Sequence, residues 1–402
     1  MGIPKLIQLI TSTTGKTATK LRDFKHFYGM TVGIDASLLV HQAVIASRSS
    51  GRDMVNQEGS ITSHLNVAFY KILAFLENGM TPIFVFDGPA HPMKSKTLEK
   101  RQQIKIDAKE KIKKMDRADE EEYIKTFKKT FTPTKQDYLE LQIMLDLMGI
   151  PYIMAPGEAD SVLAWLCARR DENGVRYIKG VCSDDSDVIA LGAPYMFKGM
   201  LAATNKTSGK QVTVISLDKT LTGMNLTYNQ FIDLCVLLGC DYCTNIKTIG
   251  PKKSYNLIKS HKNLKNALEI IKKEAIKNPK ICIEKDNVKC MYASRDYFRN
   301  ALDEIDKMDD FVLTDDNLKL RFFQYEELMD FMCVKHGFDV LRIESGIKKM
   351  SVMYSKMKIT RKNTKDVHTI LRPRSEDFTF LPSESSSEEF VSKKTKKNQL
   401  RN

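Results

Sequence analysis

Nowhere does the chain carry a run of eighteen apolar residues, about the shortest span that would read as a membrane-crossing helix. Its N-terminus lacks the basic-then-apolar pattern of a signal peptide, and Leu6 stands where a myristoylation signal needs Ser or Thr. These absences predict a soluble intracellular protein without a membrane role. No second CxxC and no HxxxH pair completes a zinc site around Cys240-x-x-Cys243. The eight cysteines (Cys167, Cys182, Cys235, Cys240, Cys243, Cys282, Cys290, Cys333) mostly sit inside apolar segments, so they read as reduced core residues of a cytosolic or nuclear protein. Negative charge is in deficit: 63 Lys and Arg face 50 Asp and Glu, a net charge of +13 that suits a polyanion such as nucleic acid or an anionic membrane surface. At 402 residues the chain is long enough for two or three domains, or for one large α/β domain with insertions.

Residues 31–35, "TVGID", and 81–87, "TPIFVFD", are short β-rich runs that each end in aspartate, and "SHLNVAFYKILAFLENG" between them has helical periodicity. That is a β-α-β unit. Further strands are predicted at 151–154 and 177–181, with a helix between them through "ADSVLAWLCARR". The pattern predicts an α/β fold, a mainly parallel twisted sheet flanked by helices. Residues 94–129 are highly charged and short of apolar residues, which reads as a solvated helical hairpin laced by i,i+4 ion pairs. Residues 351–402 mix Lys, Ser, Glu, Asn and Pro, a composition that predicts a basic, largely disordered tail.

Asp35 and Asp87 end strands, Glu158 and Asp160 lie near a helix start, Asp185 and Asp187 follow a third strand in "CSDDSDVIALG", and Asp241 follows the apolar helix ending "LLGC". Ligands of open α/β sheets bind outside the carboxyl ends of the strands, so these acids can converge on one crevice. A single such aspartate would read as a cap or turn residue. Seven hard oxygen donors without a nearby histidine favour Mg²⁺ or Mn²⁺ over zinc, and two such ions form the clamp used on phosphodiesters. In "IGPKK" a Gly-Pro turn opens a helix beside Lys252 and Lys253, a pattern that offers backbone N–H groups and charge to a phosphate.

Taken in order, "MGIPKL", "GIDAS", "EGSITSHLNVAFYKI", "PIFVFDG", "GIPYIMAPGEAD", "FIDLCVLLGCDYC", "IKTIGPKK" and "LMDFMCVKHGF…RIESGIKKM" resemble the flap endonuclease branch of the structure-specific 5′-nucleases over roughly residues 1 to 350. The short stretch between Asp87 and Gly149 is similar to the flap endonucleases and not to their nucleotide-excision relatives, whose corresponding region is much longer. The resemblance implies an N-terminal nuclease region at 1–107, a helical arch at 94–132, an internal nuclease region at 133–260 with a helix–two-turn–helix near 240–260, and a C-terminal helical part at 261–350. It makes Asp35, Asp87, Glu158, Asp160, Asp185, Asp187 and Asp241 the ligands of two Mg²⁺ ions, for which Mn²⁺ can substitute. Asp185 also counts as catalytic, and Asp184, which matches no family ligand, is expected to be a solvated neighbour. Lys94 and Arg101 match the basic pair at the base of the arch that contacts the scissile phosphate; seven residues apart, they would share one helix face. Gly2, His41, Arg48, Lys71 and Gly239 fall at DNA-touching positions, joined by Glu158, Asp241, Lys252 and Lys253, and Gly250 lies in the helix–two-turn–helix, which in the family also binds a monovalent cation.

Three departures stand out. Asp160 replaces the second glutamate of a Glu-x-Glu pair and is one methylene shorter, which suits binding through water. His41 replaces a base-stacking tyrosine, implying weaker, pH-sensitive stacking. No Gln-x-x-aliphatic-x-x-aromatic-aromatic box occurs in the tail, so the sliding clamp, a family partner, lacks its usual attachment here. The resulting expectation is a monomeric, Mg²⁺-dependent 5′-flap endonuclease and 5′-3′ exonuclease acting on branched DNA in replication, including Okazaki fragment maturation, and in base-excision repair. The alternatives are a catalytically inactive DNA-junction binder, for which seven acids would be costly relics, and a ribonuclease on the same fold, which has no use for "IKTIGPKK". Such a protein is nuclear in a cell. Little glutamine and much lysine, isoleucine and asparagine point to an AT-rich genome, such as that of a large DNA virus, whose replication site can be cytoplasmic.

Overall fold

The structure, a computed structural model, describes residues 2–48, 62–115, 119–171, 173–203, 211–357 and 359. Seven strands form one sheet: β1 (Thr19–Arg22), β2 (Thr31–Asp35), β3 (Thr81–Phe86), β4 (Tyr152–Met154), β5 (Val181–Cys182), β6 (Tyr195–Lys198) and β7 (Val212–Ser216), in the order β1-β7-β6-β5-β2-β3-β4. The five strands from β6 to β4 run parallel, as the β-α-β pattern predicts, and β7 and β1 close one edge with antiparallel pairings. The strand predicted at 177–181 is displaced toward its C-terminal end. Residue 177 is held by the Arg169 carbonyl, 179 by the Thr31 carbonyl, and only Val181 and Cys182 enter the ladder.

The helices before the sheet's midpoint are α1 (Leu6–Thr14), α2 (Ala36–Ser47), α3 (Ser63–Glu77), α4 (Ser95–Lys114), α5 (Glu120–Lys129), α6 (Lys135–Met148) and α7 (Ala159–Ala168). After it come α8 (Asp187–Ala190), α9 (Met200–Ala203), α10 (Leu217–Met224), α11 (Tyr228–Leu238), α12 (Pro251–His261), α13 (Leu264–Lys277), α14 (Lys285–Asp306), α15 (Tyr325–Met329) and α16 (Val340–Lys356). None of the described helices is long and apolar enough to cross a membrane.

Side chains alternate across β3 and so feed two cores. Ile83 and Val85 join α1, α7 and α11 on one face, while Phe84 and Phe86 join α2, α3, α6 and α16 on the other. On that second face α16 lies close against α3, where a Cβ on Gly346 would stand 2.6 Å from the Phe69 ring. Tyr354, fully buried, donates its hydroxyl to the Met148 carbonyl at 2.6 Å. Of the tail expected from residue 351, residues 351–356 belong to α16, which continues to Lys356; the rest of it, residues 357 and 359 apart, lies outside the described residues.

α4 and α5 form the predicted hairpin, with Ala108 and Thr126 their buried residues, so it stands off the core as a solvated element. Its cross-link is the Lys111–Glu122 ion pair at 2.5 Å, between the helices and not along one of them. At its foot Arg48, 5% exposed, lies 4.4 Å from the Phe127 ring centre and donates to the Phe127 carbonyl at 3.2 Å and to the Thr130 hydroxyl at 3.1 Å.

Candidate active site

The sheet reverses its winding between β5 and β2, and acids gather at the carboxyl ends of the strands beside that point, where α/β sheets bind ligands. Asp35 ends β2 and opens α2; its Oδ1 accepts from the backbone N–H groups of Ser37 at 2.8 Å and Leu38 at 3.2 Å. Asp87 follows β3, accepting from the Ser37 hydroxyl at 2.7 Å and from the Ala159 N–H at 2.9 Å. Glu158 caps α7 and Asp160 lies in its first turn. Asp185 and Asp187 follow β5, and Asp185 Oδ1 accepts from the Asp187 N–H at 3.0 Å. Asp241 follows α11. All seven acids singled out in the sequence therefore come together beside one end of the sheet, close enough to feel one another or Lys94.

Their electrostatics betray the crowding. Burial, then the Asp87 charge, pushes Asp35 up to about 8. Burial and the Asp185 charge raise Asp160 and Asp187 well above the carboxylate range. Burial raises Asp185 as well, against the hydrogen bond from the Asp187 N–H. One oxygen of each of two acids, Asp160 Oδ1 and Asp187 Oδ1, is buried without a hydrogen-bond partner. A buried carboxylate oxygen left so costs a few kcal/mol, about 1–3 or more, which a hard cation would offset. The donor set fits such a cation: all oxygen, all carboxylate. Among the described residues no group of three such side chains is already spaced to hold one ion.

Positive charge enters from the foot of the arch. Lys94 Nζ donates to Glu158 Oε2 at 2.9 Å and lies 3.7 Å from Asp241 Oδ2. Arg101 donates to that same Asp241 oxygen at 2.7 Å. Burial opposes the Lys94 charge, but Glu158 first and then Asp160 and Asp241 hold the ammonium above its ordinary range. The expected single helix face is corrected in one respect: Lys94 caps α4 from a short 3-10 turn, Pro92–Lys94, and only Arg101 lies within the helix.

The remaining predicted residues divide. Gly2 belongs to the crevice: at φ +78° its missing Cβ would stand 2.0 Å from Asp185 Oδ1, and next to it the Ile3 N–H donates to the Ser186 hydroxyl at 2.9 Å. His41 is half-buried, edge-on to Phe131 at 5.7 Å, and burial, then Lys105 and Arg101, lowers it to about 4. Its ring is neutral near pH 7, so the pH-sensitivity expected there moves far to the acid side. Arg48 and Lys71 are buried; Lys71 donates to the Leu201 carbonyl, and Arg48 grips the arch as described. Gly239 ends α11 at φ +90°, a conformation costly for other residues, where a Cβ would meet the Asn245 N–H at 2.8 Å. Gly250 caps α12 with open space before it. Lys252 is exposed, whereas Lys253 forms an ion pair with Glu274 of α13.

Asp184 corrects the reading made of it. It is half-buried and doubly bonded, accepting from Gln42 Nε2 at 2.8 Å and from the Gly199 N–H at 3.0 Å, so it ties α2 to the turn after β6 and is no solvated bystander. Sequence reasoning also passed over Tyr242, whose hydroxyl donates to Glu158 Oε2 at 2.8 Å, and Ser37, which holds Asp87. Both sit inside quoted motifs, beside the acids that drew attention.

Two family models match the chain: the XPG N-terminal domain over residues 1–108 and the XPG I-region over residues 149–241. Flap endonuclease 1 of Nematostella vectensis is 34% identical over 352 residues, 87% of this chain and 87% of that protein. Among solved structures, flap endonuclease-1 from Methanococcus jannaschii covers 84% of this chain and 97% of its own at 24% identity, with a TM-score of 0.60. The catalytic core of Rad2 in complex with DNA substrate covers 87% and 100% at 21% identity, with a TM-score of 0.61, and shares the fold. With seven acids and two arch cations in one crevice, and this degree of identity along most of its length, the chain belongs to the flap endonuclease family of structure-specific nucleases.

Proposed function

We infer that the crevice is the reaction centre of this nuclease and that the seven acids hold its cations. The chain is a structure-specific 5′-flap endonuclease, a phosphodiester hydrolase. The carrying observation is the pair of buried, unpartnered oxygens on Asp160 and Asp187 within a ring of carboxylates. Asp35, Asp87, Glu158, Asp160, Asp185, Asp187 and Asp241 would hold two Mg²⁺ ions, or Mn²⁺ in their place. Bound there, the pair supplies an activated water and charge for the leaving oxygen.

The chain's own residues do the rest. Lys94 and Arg101 aim cationic donors into the crevice, where negative charge develops on the phosphate. Tyr242 and Lys94 fix Glu158, and Ser37 fixes Asp87, so the carboxylates are oriented in advance. The solvated α4–α5 arch leaves a course for a 5′ single strand, and the Gly250 turn with Lys252 grips downstream duplex, with room for a monovalent cation. His41, Arg48, Lys71 and Gly239 complete the DNA surface, Arg48 and Lys71 by bracing it from below. In this reading the protein works as a monomer on branched DNA in replication and repair, in the nucleus of a cell, trimming ends by 5′-3′ exonuclease action as well.

The test compares labelled double-flap, nicked and single-stranded substrates with and without Mg²⁺. Cutting of the 5′ flap near its junction, only with Mg²⁺, is expected. Cleavage that survives chelation, or that treats single strands as well as flaps, overturns the reading.

A further inference from the structure

Cys240 and Cys243 flank two residues that both act in the crevice. Their sulfurs are 3.5 Å apart, with Cys240 half-buried and Cys243 buried. The two residues oppose one another in an isolated antiparallel bridge, the Cys240 N–H donating to the Cys243 carbonyl at 2.9 Å. Opposed residues of such a bridge have Cα atoms about 4.5–5.5 Å apart, inside the span of about 4.4–6.8 Å that a disulfide bridges. Between them, Asp241 accepts from Arg101 at 2.7 Å through its side chain and from the Thr97 hydroxyl at 2.6 Å through its carbonyl. Tyr242 donates to Glu158 at 2.8 Å.

We propose that Cys240 and Cys243 form a reversible thiol–disulfide site whose oxidation by a peroxide shifts Asp241 and Tyr242 and slows cleavage. The inference rests on the functional reading above. One sulfur attacks the peroxide O–O bond, giving a sulfenic acid and one water; the second displaces the sulfenic oxygen as another water. The sum is two thiols oxidised to one S–S bond and one hydrogen peroxide reduced to two waters. Drawing the sulfurs from 3.5 Å to the roughly 2.05 Å of a disulfide re-sets the two side chains that bracket Asp241 and Tyr242. In this proposal the bond stiffens the turn and shifts its two central residues, and a displacement of about 1 Å in such a site can cost roughly a hundredfold in rate.

The experiment exposes reduced, full-length protein to graded hydrogen peroxide, then measures single-turnover flap cleavage and maps cross-linked peptides by mass. A 240–243 cross-link, a rate reduced at least tenfold and recovery with dithiothreitol are expected. Cys240→Ser should keep its own untreated rate through the same exposure, while Cys282→Ser, altered at an exposed cysteine, should fall as the parent does. No cross-link at peroxide levels that oxidise Cys282, a cross-link without loss of rate, or a Cys240→Ser variant as sensitive as the parent each overturns the proposal. Should reduced protein cleave no flap, the functional reading fails, and mapping alone still decides whether the bond forms.

Discussion

Arg101 and Asp241, 140 positions apart, meet at 2.7 Å, so the arch is fastened to the acid that follows α11. In the proposed function a phosphate oxygen would compete with Asp241 for the guanidinium. Arg101→Ala should therefore slow single-turnover cleavage by about a hundredfold or more while weakening flap binding only a few-fold, because a donor aimed at developing charge acts in the transition state. Equal losses in rate and affinity would make Arg101 an ordinary phosphate contact.

Asp185 has its Oδ1 bonded to the Asp187 N–H, so an amide at this position keeps the fold but not the charge. Asp185→Asn should abolish cleavage by orders of magnitude and leave junction binding intact. Cleavage close to the parent rate would remove Asp185 from the ligand set.

Gly2 is an unusually exposed weakness. Alanine there would bring a methyl group to 2.0 Å from Asp185 Oδ1 at a φ of +78°. Gly2→Ala should cut the rate by about a hundredfold with little change in melting temperature, since few core contacts are involved. A rate within twofold of the parent, measured at saturating Mg²⁺, would mean that Asp185 tolerates the shift.

Without a cation, Asp35 stands at about 8 against an ordinary 3.8. A raised folded-state value means that the folded protein holds the extra proton; stability present below about pH 4 is lost as pH rises through about 8. The melting temperature of the metal-free protein should fall between about pH 5 and 9, and Mg²⁺ should raise it more at the alkaline end. An equal Mg²⁺ effect at both ends would contradict the assignment.

Lys252 is exposed and Lys253 is paired with Glu274, so the two lysines of "IGPKK" are not equivalent. Lys252→Ala should lower the slope of log affinity against log salt by about one, and adding Lys253→Ala should lower it by less than one more. Equal steps would show that DNA displaces Glu274. Removal of the tail, made after residue 359 so that Tyr354 stays in its buried place, should weaken binding mainly at low salt and leave the cut site unchanged.

The site was legible because its chemistry is local: Asp35, Asp87 and Asp185 each follow a short β-rich run, and that pattern survives in the sequence. β1, β6 and β7 were not, since four or five residues with mixed burial carry little periodicity, and β1 finds its partner only far along the chain, with Thr19 opposite Ile215 of β7. Asp184 misled because three neighbouring aspartates look alike until Gln42, 142 positions away, is brought to one of them. Arg48, expected at a DNA-touching position, is instead buried under the Phe127 ring. In each case the missing information was a long-range contact.

The flush seat of α16 on α3 has a consequence for synthesis. The acids from Asp35 to Asp241 leave the ribosome long before Val340, yet the face carrying Phe69 and Met148 stays uncovered until Ile343, Ile347, Met350 and Tyr354 arrive. Those four side chains bury at about 1.5–3 kcal/mol each, a sum comparable with the whole stability of a domain, about 5–15 kcal/mol. A nascent chain therefore holds all seven acids of the candidate site without a finished fold, and the second core closes only once α16 has been translated.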